Sequence, residues 1–119
     1  MPVRTVGRIT RRTAFAELQR SRARGASGPV RVTFVPAEPA EPGVFPQVAY
    51  AIGRQCGNAV VRNSLRRRAR EVVRNEALAL ARGAYLVRVQ PAAATQDPSA
   101  YRRDVAMALL KAGRGRVPA

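Results

Sequence analysis

The sequence predicts a single domain of mixed α and β structure. The chain has 119 residues, a length that suits one domain with a modest core. Hydrophobic residues make up 46% of it, which is typical of a globular rather than a disordered chain. Segments of alternating polarity, as in strands, stand between segments whose apolar residues have helical spacing. We therefore expect one domain over residues 1–119.

The first part of the chain is predicted to be a basic arm followed by a short helix. Residues 1–12 contain four arginines and no acid, which favours a flexible arm. Residues 13–24 place Phe15 and Leu18 on the inner side of a helix, and Gly25 is the expected stop.

Two strands are predicted on either side of a proline-rich loop. Residues 30–35 alternate apolar and polar side chains and are rich in β-branched residues. Residues 36–43 hold three prolines, which fix φ and remove backbone donors, so we expect an exposed loop there. Residues 47–52 resume the strand pattern, with Tyr50 and Ile52 on one face.

The longest predicted element is a helix that begins after a glycine-bounded turn at residues 53–57. Asn58 suits the N-cap, because its side-chain oxygen can accept a bond from an otherwise unpaired backbone N–H. Neither proline nor glycine interrupts the chain before Gly83, and we expect the helix to reach about residue 81. Its apolar residues form one stripe, namely Leu65, Ala69, Val72, Val73 and Leu80.

The other side of this helix is crowded with arginine. Between Arg62 and Arg74 there are six arginines and one acid, Glu71. Like charges one turn apart destabilise an isolated helix, whereas the planar arginine fork can grip phosphate oxygens through two hydrogen bonds. A solvated basic face is the alternative, and the pattern favours a nucleic-acid surface over it.

The last part of the chain is predicted to be a strand and a helix. Residues 85–89 have the strand pattern, and after a loop Asp97 and Pro98 form a helix start, the first as cap and the second at the first helical position. The helix is expected to end at Gly113 and to leave a disordered tail at 114–119. Its inner residues are Tyr101, Val105, Leu109 and Ala112.

Charge and composition limit the possible functions. The net charge of +15 favours a polyanionic partner. The chain has no histidine and a single cysteine, Cys56, which excludes catalytic triads, Cys–His dyads, disulfides and zinc clusters. The seven acids are scattered, whereas two-metal catalysis needs clustered carboxylates. No apolar run approaches the ~20 residues of a membrane span, and no signal peptide is evident, so we expect a cytoplasmic protein without membrane contact.

Residues 50–74 resemble the protein component of bacterial ribonuclease P, the ribonucleoprotein that trims 5′ leaders from precursor tRNA. That family carries a Lys-Lys-x-Gly turn and then a helix with Ala-Val-x-Arg-Asn-Arg-x-Lys-Arg-x-x-Arg-Glu. Residues 54–71 here read Arg-Gln-Cys-Gly-Asn-Ala-Val-Val-Arg-Asn-Ser-Leu-Arg-Arg-Arg-Ala-Arg-Glu. The chain departs from the family at Ser64, where arginine is usual, and at Gln55, where lysine is usual. Weaker agreement extends over nearly the whole chain.

The resemblance implies a particular fold, an α/β fold arranged as an α+β sandwich. The expected order of elements is αβββαβα, similar to the second domain of a small-subunit ribosomal protein. Its βαβ crossover is expected to be left-handed, against the usual right-handed rule. This order contains one strand more than the pattern of side chains predicts, and the additional strand is expected around residues 44–46.

The resemblance also implies a function, that of the protein subunit of an endoribonuclease holoenzyme. The catalytic centre and its Mg²⁺ would lie mainly on the RNA subunit, with neither a catalytic residue nor a metal ligand on this chain. The partners would be the catalytic RNA and precursor tRNA, and no protein partner would be required. The expected contacts to the catalytic RNA are Arg62, Asn63, Arg66, Arg67 and Arg70. The expected border of a cleft for the single-stranded leader is Phe15, Arg54 and Tyr85.

Two other classes of protein remain open. A non-catalytic ribosomal or ribosome-assembly protein would share the charge and the fold, but it would not distinguish precursor from mature tRNA. A DNA-binding module would place the arginine helix in a major groove. The sequence lacks both the second helix of a helix-turn-helix motif and a dimerising heptad repeat, so this alternative is disfavoured.

Overall fold

The computed structural model describes residues 6–9 and 12–114. The remaining parts of the predicted arm and tail, residues 1–5, 10–11 and 115–119, lie outside the described residues. The described residues form five strands and three α-helices. Their bounds are Gly7–Arg8 (β1), Arg12–Arg20 (α1), Ala23–Ser27 (β2), Val30–Pro36 (β3), Gln47–Ile52 (β4), Ala59–Glu76 (α2), Gly83–Val89 (β5) and Pro98–Arg114 (α3). After β1, this is the αβββαβα order that the resemblance implies.

The five strands form one mixed sheet in the order β1-β4-β5-β3-β2. β1, β4 and β5 run parallel to one another, and β5, β3 and β2 pair antiparallel. β4 and β5 are neighbours joined through α2, so they form a βαβ unit. The hand of this crossover stays a prediction.

Helices cover the sheet on both faces. The larger core lies between one face and the two helices α2 and α3, with Phe34, Tyr85 and Leu109 among its fully buried residues. On the opposite face, Leu18 of α1 packs against Ala84 and makes a smaller core. Within the described residues, no helix combines the length and apolarity needed to cross a membrane.

The predicted caps and apolar stripes are confirmed. The Asn58 side chain accepts a hydrogen bond from the Val61 N–H at 3.0 Å and caps α2. Asp97 accepts from the N–H groups of Ser99 and Ala100 at the start of α3. Leu65, Ala69, Val72 and Val73 of α2 are buried, and Leu80 is buried beyond the end of the helix. The inner residues of α3 are buried as well. β4 has the predicted bounds.

The additional strand is β2, so its expected place at residues 44–46 is wrong. The predicted first helix is too long for the same reason, because α1 ends at Arg20 and Gly25 lies within β2 instead of ending a helix. The residues of β2, Ala-Arg-Gly-Ala-Ser, have little preference for strands. Full antiparallel pairing with β3 and the packing of α3 on β2 hold this segment extended.

Other boundaries differ from the predictions as well, since β3 includes Pro36 and β5 begins at Gly83. Part of the predicted flexible arm is strand β1, whose Gly7 N–H donates to the Pro46 carbonyl at 2.8 Å. α2 ends at Glu76 and passes through a short 3₁₀ turn, since Leu80 is already extended at φ −84° and ψ 137°. α3 continues through Gly113, the predicted stop, to Arg114.

Asp104 of α3 ties this helix to the β2–β3 turn and makes stability depend on pH. Its carboxylate accepts hydrogen bonds from Ser27 Oγ and Gln96 Nε2, both at 2.6 Å, and these bonds lower the pKa of Asp104. Because this carboxyl is more acidic in the folded state, it stabilises the folded state at pH values above the unfolded-state pKa of about 3.9. The contribution is lost as the pH falls through the folded-state pKa.

Asp104→Asn is therefore expected to lower the free energy of unfolding at pH 7 by about 1 kcal/mol, and by less near pH 3. Urea unfolding of the variant and the wild type at each of the two pH values measures the difference in their free energies of unfolding. A difference between variant and wild type that stays constant with pH would contradict the role assigned to the carboxylate.

Candidate nucleic-acid interface

The arginines of α2 lie on the solvent side of the helix and along the edges of its buried stripe. Arg67, Arg70 and Arg74 are exposed, and Arg62 and Arg66 are half-buried. This follows from the sequence, because the buried stripe and the arginines occupy different helical faces. All five residues predicted to contact the catalytic RNA are thus accessible.

Two hydrogen bonds hold arginine side chains of α2 in place. Arg62 Nε donates to the Gly57 carbonyl at 3.2 Å. Arg66 Nη1 donates to Asn63 Oδ1 at 3.0 Å, so Asn63 orients Arg66. The one acid of this stretch, Glu71, pairs with Arg102 of α3 at 3.3 Å.

A cleft of about 750 Å³ lies between α1, α2 and the β1–β4 edge of the sheet. Phe15 of α1 lines one wall, and Arg66, Arg70 and Arg74 of α2 line the other. Backbone and side chains of residues 6–9 and 48–50 form the floor between them. The cleft thus has an aromatic wall and a cationic wall, the two features that bind bases and phosphates of a single strand.

Tyr50 connects the floor of the cleft to its cationic wall. The guanidinium carbon of Arg70 lies 5.8 Å from the centre of the Tyr50 ring, a cation–π geometry. Burial raises the pKa of Tyr50 to about 12, although the charges of Arg70 and Arg74 act in the opposite direction. The phenol is therefore neutral at physiological pH and can act as a hydrogen-bond donor.

The three residues predicted to border the leader cleft are not brought together. Phe15 is 41% exposed and lines the cleft, so its predicted position on the inner side of the first helix is wrong. That this cleft receives the leader stays a prediction. Arg54 is exposed in the 3₁₀ turn before α2 and does not line it.

Tyr85 is fully buried, so its predicted place at the cleft is wrong. Its ring centre is 4.6 Å from that of Phe34, and its hydroxyl donates to the Ala81 carbonyl at 2.7 Å. Tyr85 is buried because β5 lies between two other strands and its alternate residues face the core under α2 and α3.

Three charged or aromatic residues of the cleft, Arg8, Tyr50 and Arg74, are absent from the residues predicted to border it. Arg74 belongs to the predicted arginine face of the helix, where it continues the four-residue spacing of Arg66 and Arg70. Arg8 and Tyr50 reach the cleft through the pairing of β1 with β4, which no local pattern predicts. Conversely, Arg66 and Arg70 share the cleft with Phe15, so the two predicted surfaces overlap.

The fold and the cleft define a class of protein, namely small basic α/β domains with an arginine-rich helix beside an open groove. The sequence model of the family described as Ribonuclease P matches residues 4–113. The chain belongs to this family.

Individual relatives agree with this assignment. The ribonuclease P protein component of a Nocardioides species is 37% identical over 68 residues, which cover 56% of this chain and 58% of that protein. Among solved structures, a mutant of the Staphylococcus aureus RNase P protein superposes with a TM-score of 0.72 at 17% identity, covering 82% of this chain and 80% of the other. The RNase P protein of Thermotoga maritima superposes with a TM-score of 0.68 at 18% identity, covering 94% and 98%. At these identities the structures show that the fold is shared.

The described residues contain no group of three or more histidine, cysteine, aspartate or glutamate side chains that could hold a metal ion.

Proposed function

We propose that this chain is the protein subunit of a ribonuclease P holoenzyme, in which it binds the catalytic RNA and the 5′ leader of precursor tRNA. In this role it assists the endonucleolytic removal of the leader that produces the mature 5′ end. Membership of the family supports the proposal. The observation that carries it is the cleft, with Phe15 on one wall and arginines on the other.

The residues of α2 inside and outside the cleft would have different roles. Arg62, Asn63 and Arg67 lie outside the cleft on accessible positions and would contact phosphates of the catalytic RNA. Phosphate contacts of this kind give a grip that is independent of sequence and sensitive to salt. Arg66 and Arg70 belong to the cleft wall and would stand between the two RNAs.

The cleft would hold the leader as an unpaired strand. Stacking of a base on an aromatic side chain contributes ~1–3 kcal/mol, and Phe15 is the exposed aromatic of the cleft. Arg8, Arg70 and Arg74 would offset the charge of the phosphates that pass between the walls. Because mature tRNA has no leader, these contacts would favour the precursor over the product.

Catalysis would belong to the RNA subunit. In this proposal the RNA binds the Mg²⁺ that supports phosphodiester hydrolysis, and the protein positions the substrate and screens the repulsion between two polyanions. Neither a catalytic residue nor a metal ligand is assigned to this chain.

Reconstitution with a bacterial ribonuclease P RNA tests the proposal. The complex is expected to cleave precursor tRNA at Mg²⁺ concentrations where the RNA alone is inactive, and to bind precursor more tightly than mature tRNA. The protein alone is expected to cleave nothing. Cleavage by the protein alone, or equal affinity of the complex for precursor and mature tRNA, would overturn the assignment, and the second result would favour a ribosomal or assembly role.

A further inference from the structure

One side of α2 faces α3 instead of the cleft. Ser64, Arg68 and Glu71 lie on this side, because they follow one another at intervals of four and three residues along the helix. Arg102 of α3 lies opposite them and reaches Glu71. All four residues are half-buried, and none of them lines the cleft. We call these four residues the α2–α3 surface.

Contacts between the two helices fix the position of this surface. Arg102 Nη2 donates to Glu71 Oε2 at 3.3 Å. The neighbouring Tyr101 hydroxyl donates to the Leu65 carbonyl of α2 at 3.0 Å. Burial raises the pKa of Tyr101, whereas the positive charge of Arg68 acts in the opposite direction. The Arg68 guanidinium therefore lies on the side of α2 that is next to α3.

Arg68 has no partner among the described residues. Neither a hydrogen bond nor an ion pair joins its side chain to any of them, whereas Arg102 is paired with Glu71. The Ser64 hydroxyl, one turn earlier, also forms no hydrogen bond with a described residue, and its oxygen is open to solvent. A half-buried guanidinium has lost part of its hydration, so its burial is favourable only where hydrogen-bond acceptors are supplied. A ligand can supply them.

The chemistry of the α2–α3 surface suits phosphate. Its two arginines offer planar forks to phosphate oxygens, and the Ser64 hydroxyl can donate a further hydrogen bond. Its single acid is held weakly, because the side chains of Arg102 and Glu71 are 41% and 43% exposed, and an exposed ion pair contributes little to stability. A phosphate group can therefore compete with Glu71 for Arg102.

The position of the surface indicates which RNA supplies the phosphates. Exposed Arg67 is the next residue to Arg68, and the proposed function assigns Arg67 to the catalytic RNA. An RNA that contacts Arg67 and continues away from the cleft reaches Arg68 and then Arg102. Ser64 stands where the family usually has arginine, and its short side chain leaves this approach open.

We propose that Ser64, Arg68 and Arg102 form a second binding surface for phosphates of the catalytic RNA, on the α3 side of α2. The inference rests on the proposed function, because it assigns a further part of the protein to the same partner. It gives α3 a part in RNA binding. It also makes Glu71 a competitor of the RNA for Arg102, so that removal of this acid should strengthen binding.

Removing the charge of Arg68 tests the surface directly. Arg68→Gln is compared with Lys111→Gln, which removes one charge from the other side of α3, where Lys111 donates to the Ala26 carbonyl. Affinity for a bacterial ribonuclease P RNA is measured over a range of salt concentrations. Arg68→Gln is expected to bind about tenfold more weakly, with a slope of log affinity against log salt that is lower by about 1. Lys111→Gln is expected to bind as wild type does.

Two further variants separate RNA binding from a structural role. Glu71→Gln is expected to bind the catalytic RNA about two- to fivefold more tightly, because it removes a negative charge and releases Arg102. Arg68→Lys should keep the salt slope but bind more weakly than wild type, because lysine lacks the planar fork. Urea unfolding shows which variants are folded, and Arg68→Lys decides the matter if Arg68→Gln is not.

Three outcomes overturn the inference. The first is equal affinity of Arg68→Gln and Lys111→Gln for the catalytic RNA, and the second is weaker binding by Glu71→Gln. The third is a holoenzyme in which Arg68→Gln changes only the preference for precursor over mature tRNA, since the surface would then contact the substrate. If the wild-type holoenzyme does not prefer precursor, the proposed function fails. If it does and Arg68→Gln has no effect, only the α2–α3 surface fails.

Discussion

Replacing Gly25 by alanine is expected to lower the free energy of unfolding by about 3 kcal/mol, the upper end of the usual cost of overpacking. A Cβ at this position would lie 2.3 Å from the Ala108 carbonyl oxygen and 2.6 Å from the Ala112 nitrogen. Both atoms belong to the backbone of α3, so relief requires a shift of the helix instead of a change of rotamer. Urea unfolding followed by circular dichroism measures the effect, which is a large part of the stability of a small domain.

Gly113→Ala is the matched control, because it adds the same methyl group to the same helix–sheet layer. Its Cβ would meet Tyr85 Oη at 3.5 Å and Ala81 Cβ at 3.9 Å, which are ordinary contacts. Since alanine is favoured over glycine inside a helix, we expect unchanged stability or a gain of up to about 1 kcal/mol. Equal midpoints of urea unfolding for Gly25→Ala and wild type would show that α3 does not pack against β2 as closely as described.

The difference between these two glycines also shows how far sequence predicts the fold. The caps and apolar stripes of α2 and α3 are local features with strong periodicity, and they are predicted correctly. Gly25 has the local pattern of a helix stop, yet it is the point where a helix from the far end of the chain crosses a strand. Such a contact depends on tertiary packing, and no window of sequence around Gly25 contains it.

The same limit applies to the site. Helical spacing places Arg66 and Arg70 on an accessible face, and the structure agrees. The resemblance places Tyr85 at the cleft, whereas in this chain the residue belongs to the larger core and its neighbour Ala84 packs under α1. Tyr50 and Arg8 enter the cleft through the pairing of two strands that are far apart in sequence.

Arg67→Ala and Arg70→Ala are expected to have different effects in the holoenzyme, although the two residues are neighbours on α2. Arg70 lines the cleft and lies over Tyr50, whereas Arg67 is exposed outside it. Loss of a charge-assisted hydrogen bond costs about 1.5–3 kcal/mol, or roughly a factor of ten to a hundred in affinity. We expect Arg67→Ala to weaken binding to the catalytic RNA by this factor. We expect Arg70→Ala to weaken mainly the binding of precursor tRNA, by a similar factor.

Phe15→Ala completes the comparison from the opposite wall of the cleft. It removes a stacking surface but no charge, so precursor affinity should fall with little change in the salt dependence, whereas Arg70→Ala should reduce both. Binding of each variant to the catalytic RNA and to precursor tRNA, measured over a range of salt concentrations, separates these cases. Equal losses for all three variants on both RNAs would mean that the cleft and the outer face of α2 act as one surface, and the division of roles along the helix would be wrong.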